Sequence, residues 1–249
     1  MKRVIITGGN SGIGYQAAKQ LAEKGWSVTL FCRREEAAEQ ACEEIRQQTG
    51  NRHVDYILVD LSDMKSVRKA AEQYIQKEDV LDVLINNAAD FDLSVKKPIL
   101  TKDGLEKQFA TNVAAPFLLS ILLKGLLEKS ESGRIINISS QGLMLYPFMQ
   151  LDFENLSGQK RYSPAKTYYQ NKLALLMLSL YMREHWKGIK IQAIRVTNVK
   201  VDMSRYNHLN TFMKNLYKIK SRFSISPEEM AKVYTALSTE DCYKGFLYD

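Results

Sequence analysis

The chain has 249 residues, 45% hydrophobic and 25% charged, enough to bury one substantial core and in keeping with a single domain over residues 1–249. Its three cysteines (Cys32, Cys42, Cys242) show no paired spacing, which argues for a reducing compartment over a disulfide framework. The histidines His53, His185 and His208 match no metal-ligand spacing, so no metal site is expected. A net charge of +7 is modest for this size and no aromatic–basic motif points to nucleic acid. The charge reads chiefly as solvated lysines on helix faces, with attraction of a phosphate-rich ligand as the alternative.

No stretch approaches the ~20 apolar residues needed to span a bilayer. Met1-Lys2-Arg3 runs directly into the strand-like Val4-Ile5-Ile6 without a leader pattern, so a cytoplasmic location is expected. In chain order, short β-branched runs at 3–7, 27–31, 54–59, 80–85, 134–138 and 190–196 predict strands. Amphipathic stretches at 15–24, 35–49, 65–77, 104–127 and 168–186 predict the helices between them. Strand–helix alternation implies βαβ units, and the strands lack polar alternation, as expected when helices cover both faces. The fold class predicted is α/β: one Rossmann-type doubly wound domain with a mostly parallel sheet.

The first strand leads into Gly8-Gly9-Asn10-Ser11-Gly12-Ile13-Gly14 and then a helix with Ala17, Ala18, Leu21 and Ala22 on its inner side. Glycines there permit a tight turn and close approach of a diphosphate to free helix-start amides. A glycine cluster alone could mark only a positive-φ turn, but its place between strand and helix favours dinucleotide binding. The second strand ends Thr29-Leu30-Phe31-Cys32-Arg33-Arg34, with no acid before Glu35. An acidic residue there would hold ribose hydroxyls, whereas the planar fork of Arg33 suits an extra phosphate. NADP(H) is therefore expected over NAD(H); capping of the strand or pairing with Glu35 and Glu36 is the alternative use of the arginines.

Two Tyr–Lys pairs at i,i+4 spacing occur, Tyr162/Lys166 and Tyr168/Lys172. A phenol with a pKa near ~10 is a poor acid/base at neutral pH, and a lysine cation one helical turn away corrects this by favouring the phenolate. Ser163-Pro164 reads as an N-cap with proline at the first helical position, which leaves Tyr162 outside the helix and Tyr168/Lys172 inside it. The strand at 134–138 delivers Ser139-Ser140, where a hydroxyl can stabilise developing charge on a carbonyl oxygen.

These residues resemble the short-chain dehydrogenase/reductase family, whose Thr-Gly-x-x-x-Gly-x-Gly signature is met by Thr7, Gly8, Gly12 and Gly14, and the resemblance covers nearly the whole chain. The segment from Gly133 to Ser140, with Tyr168 through Ala174, looks closest to its retinol-dehydrogenase-like branch. The resemblance implies a Ser140–Tyr168–Lys172 site completed by Asn112, with Ser139 structural. It also implies adenine contacts from Asp60-Leu61 and an Asn86-Asn87-Ala88-Ala89 motif in which Ala89 replaces a glycine. The expected cofactor contacts are Thr7, Gly8, Asn10, Ser11, Gly12, Ile13, Gly14, Arg33, Asp60, Leu61, Asn87, Ala88, Tyr168, Lys172 and Val199. The implied activity is NADP(H)-dependent interconversion of an apolar aldehyde or ketone (retinoid, steroid or lipid-like) with its alcohol.

The sequence departs from the family at Val196-Thr197-Asn198-Val199-Lys200-Val201, where a Pro-Gly turn and a carboxamide-binding threonine are absent and Val201 stands at the threonine position. Asn171 replaces a common serine. A catalytically silent NADP(H)-binding sensor or scaffold is thus the competing function. Residues 203–226 correspond to a substrate lid. Within it, Arg205, Lys214, Lys218, Lys220 and Arg222 with Phe212, Leu216, Ile219 and Phe223 form a basic amphipathic pattern, and 212–223 also suits peripheral contact with an anionic membrane. Ser226-Pro227-Glu228-Glu229 reads as the cap of a last helix, and 245–248 as an edge strand. The apolar face of 173–182 reads as core or, by resemblance, as a homodimer seam.

Overall fold

The computed structural model describes residues 1–200 and 224–248. Val201 and most of the expected lid and membrane segment (203–223) lie outside the described residues.

The elements in order are β1 (Arg3–Thr7), α1 (Gly12–Glu23), β2 (Ser27–Cys32), α2 (Glu35–Thr49), β3 (Val54–Leu58), α3 (Met64–Lys77) and β4 (Val83–Asn86). They continue with α4 (Lys107–Phe109), a π turn (Ala110–Ala114), α5 (Ala115–Leu122), α6 (Lys124–Glu128), β5 (Arg134–Ser140), α7 (Pro164–His185), β6 (Lys190–Val196), α8 (Pro227–Thr239) and β7 (Leu247–Tyr248). The seven strands form one sheet in the order β3-β2-β1-β4-β5-β6-β7, and every pairing is parallel. Both faces are covered. Val4, Ile6, Val28, Leu30 and Ile136 face α1, α2 and α8, whereas Ile5, Phe31, Leu84 and Ile135 face α3, α5 and α7. This two-sided burial is why the strand sequences read as continuous apolar runs.

Strand order reverses direction of growth beside β1, between β1 and β4, so the C-terminal ends of β1, β4 and β5 open on one crevice, the position where open α/β sheets bind ligands. Predicted strands 3–7 and 190–196 and helix 35–49 match as drawn. Several boundaries differ, four of them for identifiable local reasons. Helix α1 starts at Gly12, not Tyr15, because extended Ser11 (φ −167°) is the N-cap and the glycine-rich turn supplies the first helical turn. Strand β4 starts at Val83, not Val80; the Asp82 carboxylate accepts hydrogen bonds from the Arg3 amide (2.7 Å), Lys2 Nζ (2.9 Å) and Ser130 Oγ (2.6 Å), anchoring the chain at the strand's entrance. The single helix expected over 104–127 is instead broken by the π turn and again at Leu123. Helix α7 begins four residues earlier than 168, on the Ser163–Pro164 start, where Ser163 Oγ accepts from the Lys166 amide at 3.5 Å. Ser226 likewise caps α8, accepting from the Glu229 amide at 3.0 Å.

Helix α7 uses its apolar residues on two sides. Ala174, Leu175 and Met182 are buried, while Met177, Leu180 and Tyr181 are exposed. The 173–182 face is therefore part core and part open surface.

Candidate active site

The glycine-rich turn is locked to the end of β4 by the side chains of Thr7 and Asn87. Thr7 Oγ1 accepts the amides of Asn87 (2.9 Å) and Ala88 (3.0 Å), and Asn87 Nδ2 donates to Thr7 O at 2.9 Å. A Cβ on Gly14 would lie 2.5 Å from Asn87 Nδ2, so Gly14 serves close packing. Thr7 and Gly14, both expected to contact the cofactor, pack against Asn87 and are not part of the cleft wall. Gly8 (φ +65°) and Gly12 (φ +59°) adopt the left-handed conformation that favours glycine, and at Gly12 the space a Cβ would occupy is open. Gly8, Asn10, Ser11, Gly12 and Ile13 line a cleft of about 1270 Å³. The Ser11 side chain caps no α1 amide, so the helix start can offer its donors to an anion. These features fit a diphosphate.

Farther along the cleft, Arg33, Arg34, Asp60 and Leu61 form its wall at the ends of β2 and β3. Both arginines are exposed, and among the described residues neither forms an ion pair with Glu35 or Glu36, the alternative role considered from sequence. Burial opposes ionisation of Asp60, but hydrogen bonds from the Ser62 hydroxyl (2.7 Å) and amide (2.9 Å), with the nearby Arg33 charge, outweigh it and hold its carboxyl below the usual range. Cys32 also lines this wall. Burial pushes its thiol up to about 11, against the opposing effect of the Asn10 and Gly9 amides, so it adds no negative charge at neutral pH.

At the other end, β5 and α7 bring Ser140, Tyr168 and Lys172 to the same cleft. Lys172 is 2% exposed, and its Nζ donates to Ile138 O at 2.7 Å. Burial alone lowers its pKa to about 8. The ammonium lies 5.5 Å from the Tyr168 ring centroid. The Tyr168 ring is held by Phe91 (centroids 4.3 Å, 37°) and edge-on by Tyr169 (5.3 Å, 75°). Ser140 Oγ accepts from the Gly142 amide at 3.2 Å, while buried Ser139 donates to Lys172 O at 3.5 Å.

The competing pair separates. Tyr162 is not part of the cleft wall; its hydroxyl donates to buried Glu106 Oε1 and accepts from Gln108 Nε2, each at 3.3 Å. Burial, with the Glu106 carboxylate, pushes its phenol up to about 12, which disfavours acid/base use. Asn112, expected to complete the site, lies on the π turn. It is fully buried and off the cleft wall, with Oδ1 accepting from the Asp90 amide (2.7 Å) and Nδ2 donating to Asp90 O (2.9 Å). In this geometry it fixes the loop after β4, the loop that carries Phe91 to Tyr168.

Val196, Thr197, Asn198, Val199 and Lys200 all line the cleft. The Lys200 amide donates to Ile225 O (2.9 Å), and the Ile225 amide donates to Asn198 O (3.0 Å), so this segment is tied to the start of α8 where the sequence lacks the family's Pro-Gly turn. Sequence reading missed Phe91, Tyr169, Met144, Leu145 and Tyr234 of the wall. Tyr169 was signalled only by its adjacency to Tyr168. Tyr234 sits 66 positions beyond Tyr168 and carried no local signal.

Sheet order and crevice together define a Rossmann-type α/β protein. Residues 2–211 match the short chain dehydrogenase family model. Retinol dehydrogenase 13 of Homo sapiens is 37% identical over 217 residues, 85% of this chain and 63% of that protein. Retinol dehydrogenase 11 of Homo sapiens is 35% identical over 231 residues, 93% of this chain and 70% of that protein. The chain therefore spans less than two thirds of the length of retinol dehydrogenase 13. Among solved structures, the RhlG/NADP active-site complex of Pseudomonas aeruginosa has a TM-score of 0.78 at 24% identity, covering 99% of this chain and 93% of that one. A short-chain dehydrogenase from Sphingobium yanoikuyae in complex with NADPH has a TM-score of 0.72 at 19% identity, covering 99% and 87%. The chain belongs to the short-chain dehydrogenase family, in its retinol-dehydrogenase-like branch.

Proposed function

We propose that the protein is an NADP(H)-dependent oxidoreductase that interconverts an apolar aldehyde or ketone with its alcohol. The observation that carries this reading is the buried Lys172 ammonium 5.5 Å from the Tyr168 ring, in one cleft with an open glycine-rich turn. NADPH would be held by the Gly8–Ile13 turn, with Arg33 on its extra phosphate; when bound, it supplies the hydride. During reduction the Tyr168 hydroxyl delivers a proton to the substrate oxygen, and the Lys172 charge stabilises the phenolate left behind. The Ser140 hydroxyl donates to the same oxygen as negative charge develops on it. Phe91 and Tyr169 orient the Tyr168 ring, and Ile138 O orients the ammonium.

The names of the relatives support a retinoid or similarly lipid-like carbonyl. The wall supports an apolar substrate: Met144 and Leu145 are 61% and 77% exposed at the cleft, beside Phe91 and Tyr169. The open apolar face of α7 supports a homodimer, and the cytoplasm is the proposed setting. Following NADPH absorbance against long-chain and aromatic aldehydes and ketones tests the reading; tight NADPH binding with no oxidation across the panel would replace it with the second reading, a dinucleotide-binding sensor. The tie between the Asn198–Lys200 segment and Ile225 favours that second reading, because it commits backbone groups close to where the family's carboxamide-binding turn stands.

Arg33 tests the cofactor choice. Arg33→Ala removes a charge-assisted contact to the extra phosphate, so NADPH affinity should fall roughly 10- to 100-fold. NADH affinity should change less than about threefold. Titrations monitored by cofactor fluorescence check this, and equal losses for the two cofactors would reject the assignment.

A further inference from the structure

The last helix, α8, meets the cleft at its first residue, Pro227, and again at Tyr234. Tyr234 is 0% exposed, yet it is part of the cleft wall, and its hydroxyl donates to Asn87 Oδ1 at 3.3 Å. The other end of the Asn87 amide is already engaged, with Nδ2 donating to Thr7 O at 2.9 Å and Gly8 O at 3.4 Å. The amide is thus clamped between the glycine-rich turn on one side and the helix on the other. Gly14 leaves it no spare room.

Helix α8 is a firm anchor for this clamp. Met230, Ala231, Tyr234 and Leu237 sit in the core shared with α1. Thr235 Oγ1 donates to Gln20 Oε1 at 2.9 Å, and Gln20 Nε2 donates to Glu228 O at 3.0 Å. Burial, reinforced by Tyr168, disfavours the Tyr234 phenolate strongly, so the group remains a neutral donor.

We propose that Tyr234 is a positioning residue for dinucleotide binding: its hydroxyl fixes the Asn87 side chain, and through it the geometry of the Thr7–Gly8 turn, so that the last helix sets the affinity of the turn for the cofactor. The inference rests on the cofactor reading above but assigns a residue that the family motifs do not. It makes α8 part of the binding apparatus although its sequence lies far from every cofactor motif. Because Ile225, two residues before α8, is hydrogen-bonded to the Asn198–Lys200 segment, the same helix links the cofactor turn to that segment.

The test is a double-mutant cycle on the full chain, read as NADPH Kd by fluorescence titration with Tm recorded alongside. Tyr234→Phe keeps the buried ring and removes the donor, and it should raise Kd about five- to tenfold, the effect of losing roughly one net hydrogen bond. Asn87→Ala should raise Kd at least as much, and the double variant should bind no more weakly than Asn87→Ala alone. Tyr74→Phe alters another fully buried tyrosine, outside the cleft, and should leave Kd unchanged whatever it does to Tm. An unchanged Kd in Tyr234→Phe, with only Tm lowered, would reduce Tyr234 to a core residue. Additive losses in the double variant would show that it does not act through Asn87. Failure of the unaltered chain to bind NADPH or NADH is seen before any variant is compared; it would remove the cofactor reading and this inference together.

Discussion

Tyr168→Phe is expected to lower kcat for carbonyl reduction by on the order of 10²- to 10⁴-fold, the usual contribution of a positioned acid, while the NADPH Kd moves less than about twofold. The ring stays, so its contacts with Phe91 and Tyr169 stay; the hydroxyl and its transferable proton are lost. Stopped-flow single turnovers would separate this loss from product release. Tyr162→Phe is the matched comparison, because Tyr162 has the same i,i+4 lysine in sequence but bonds Glu106 away from the cleft. It should keep full turnover and lower stability by about 1 kcal/mol, since the buried Glu106 loses a donor. If Tyr162→Phe silenced turnover and Tyr168→Phe did not, the site would be misassigned.

Lys172→Met should lower turnover by at least about 10²-fold and at the same time stabilise the protein. The physical reason is the cost of burying an ammonium that, among the described residues, is met by the Ile138 carbonyl and by the Tyr168 ring 5.5 Å away, and by no carboxylate. Its pKa falls from 10.5 to about 8 in the fold, a bias of on the order of 3 kcal/mol against the charged state. Losing the bond to Ile138 O costs about 1 kcal/mol, so a net gain on the order of 2 kcal/mol is expected at pH 7. The sign follows from proton linkage. Below about pH 8 both folded and unfolded chains carry the proton and the full cost applies; between about 8 and 10.5 the unfolded chain binds more protons, so this group makes stability rise with pH. Denaturant titrations of both proteins at pH 7 and pH 10 should therefore show the advantage of the methionine variant at pH 7 shrinking or vanishing at pH 10. An active but destabilised Lys172→Met protein would contradict the assigned role.

Much of this architecture was legible because it is written in local patterns. The strand at Arg3–Thr7, the glycine turn after it and the Ser163–Pro164 start of α7 each depend on a few neighbouring residues, and each fell where the sequence put it. That Tyr168 lies inside the helix and Tyr162 outside it was likewise readable, since a proline at the first helical position fixes where the helix starts. What escaped was tertiary. The break of the 104–127 helix by a π turn depends on Asn112 bonding the Asp90 backbone, a contact between segments. Thr7 and Gly14 carry the family signature, but their packing against Asn87 and Ala88, 73 to 81 positions away, has no local trace. Tyr234 reaches the cleft only because α8 packs on α1, a fact of topology with no trace in its neighbours.

In the proposed mechanism a buried ammonium tunes a phenol, and the pH dependence of kcat/KM for carbonyl reduction reads that ammonium in the free enzyme most directly. The rate is expected to hold at neutral pH and to fall as pH rises through about 8, where Lys172 gives up its proton, with that break absent from the residual activity of Lys172→Met. A profile flat from pH 6 to pH 10, or the same break surviving in Lys172→Met, would contradict that mechanism.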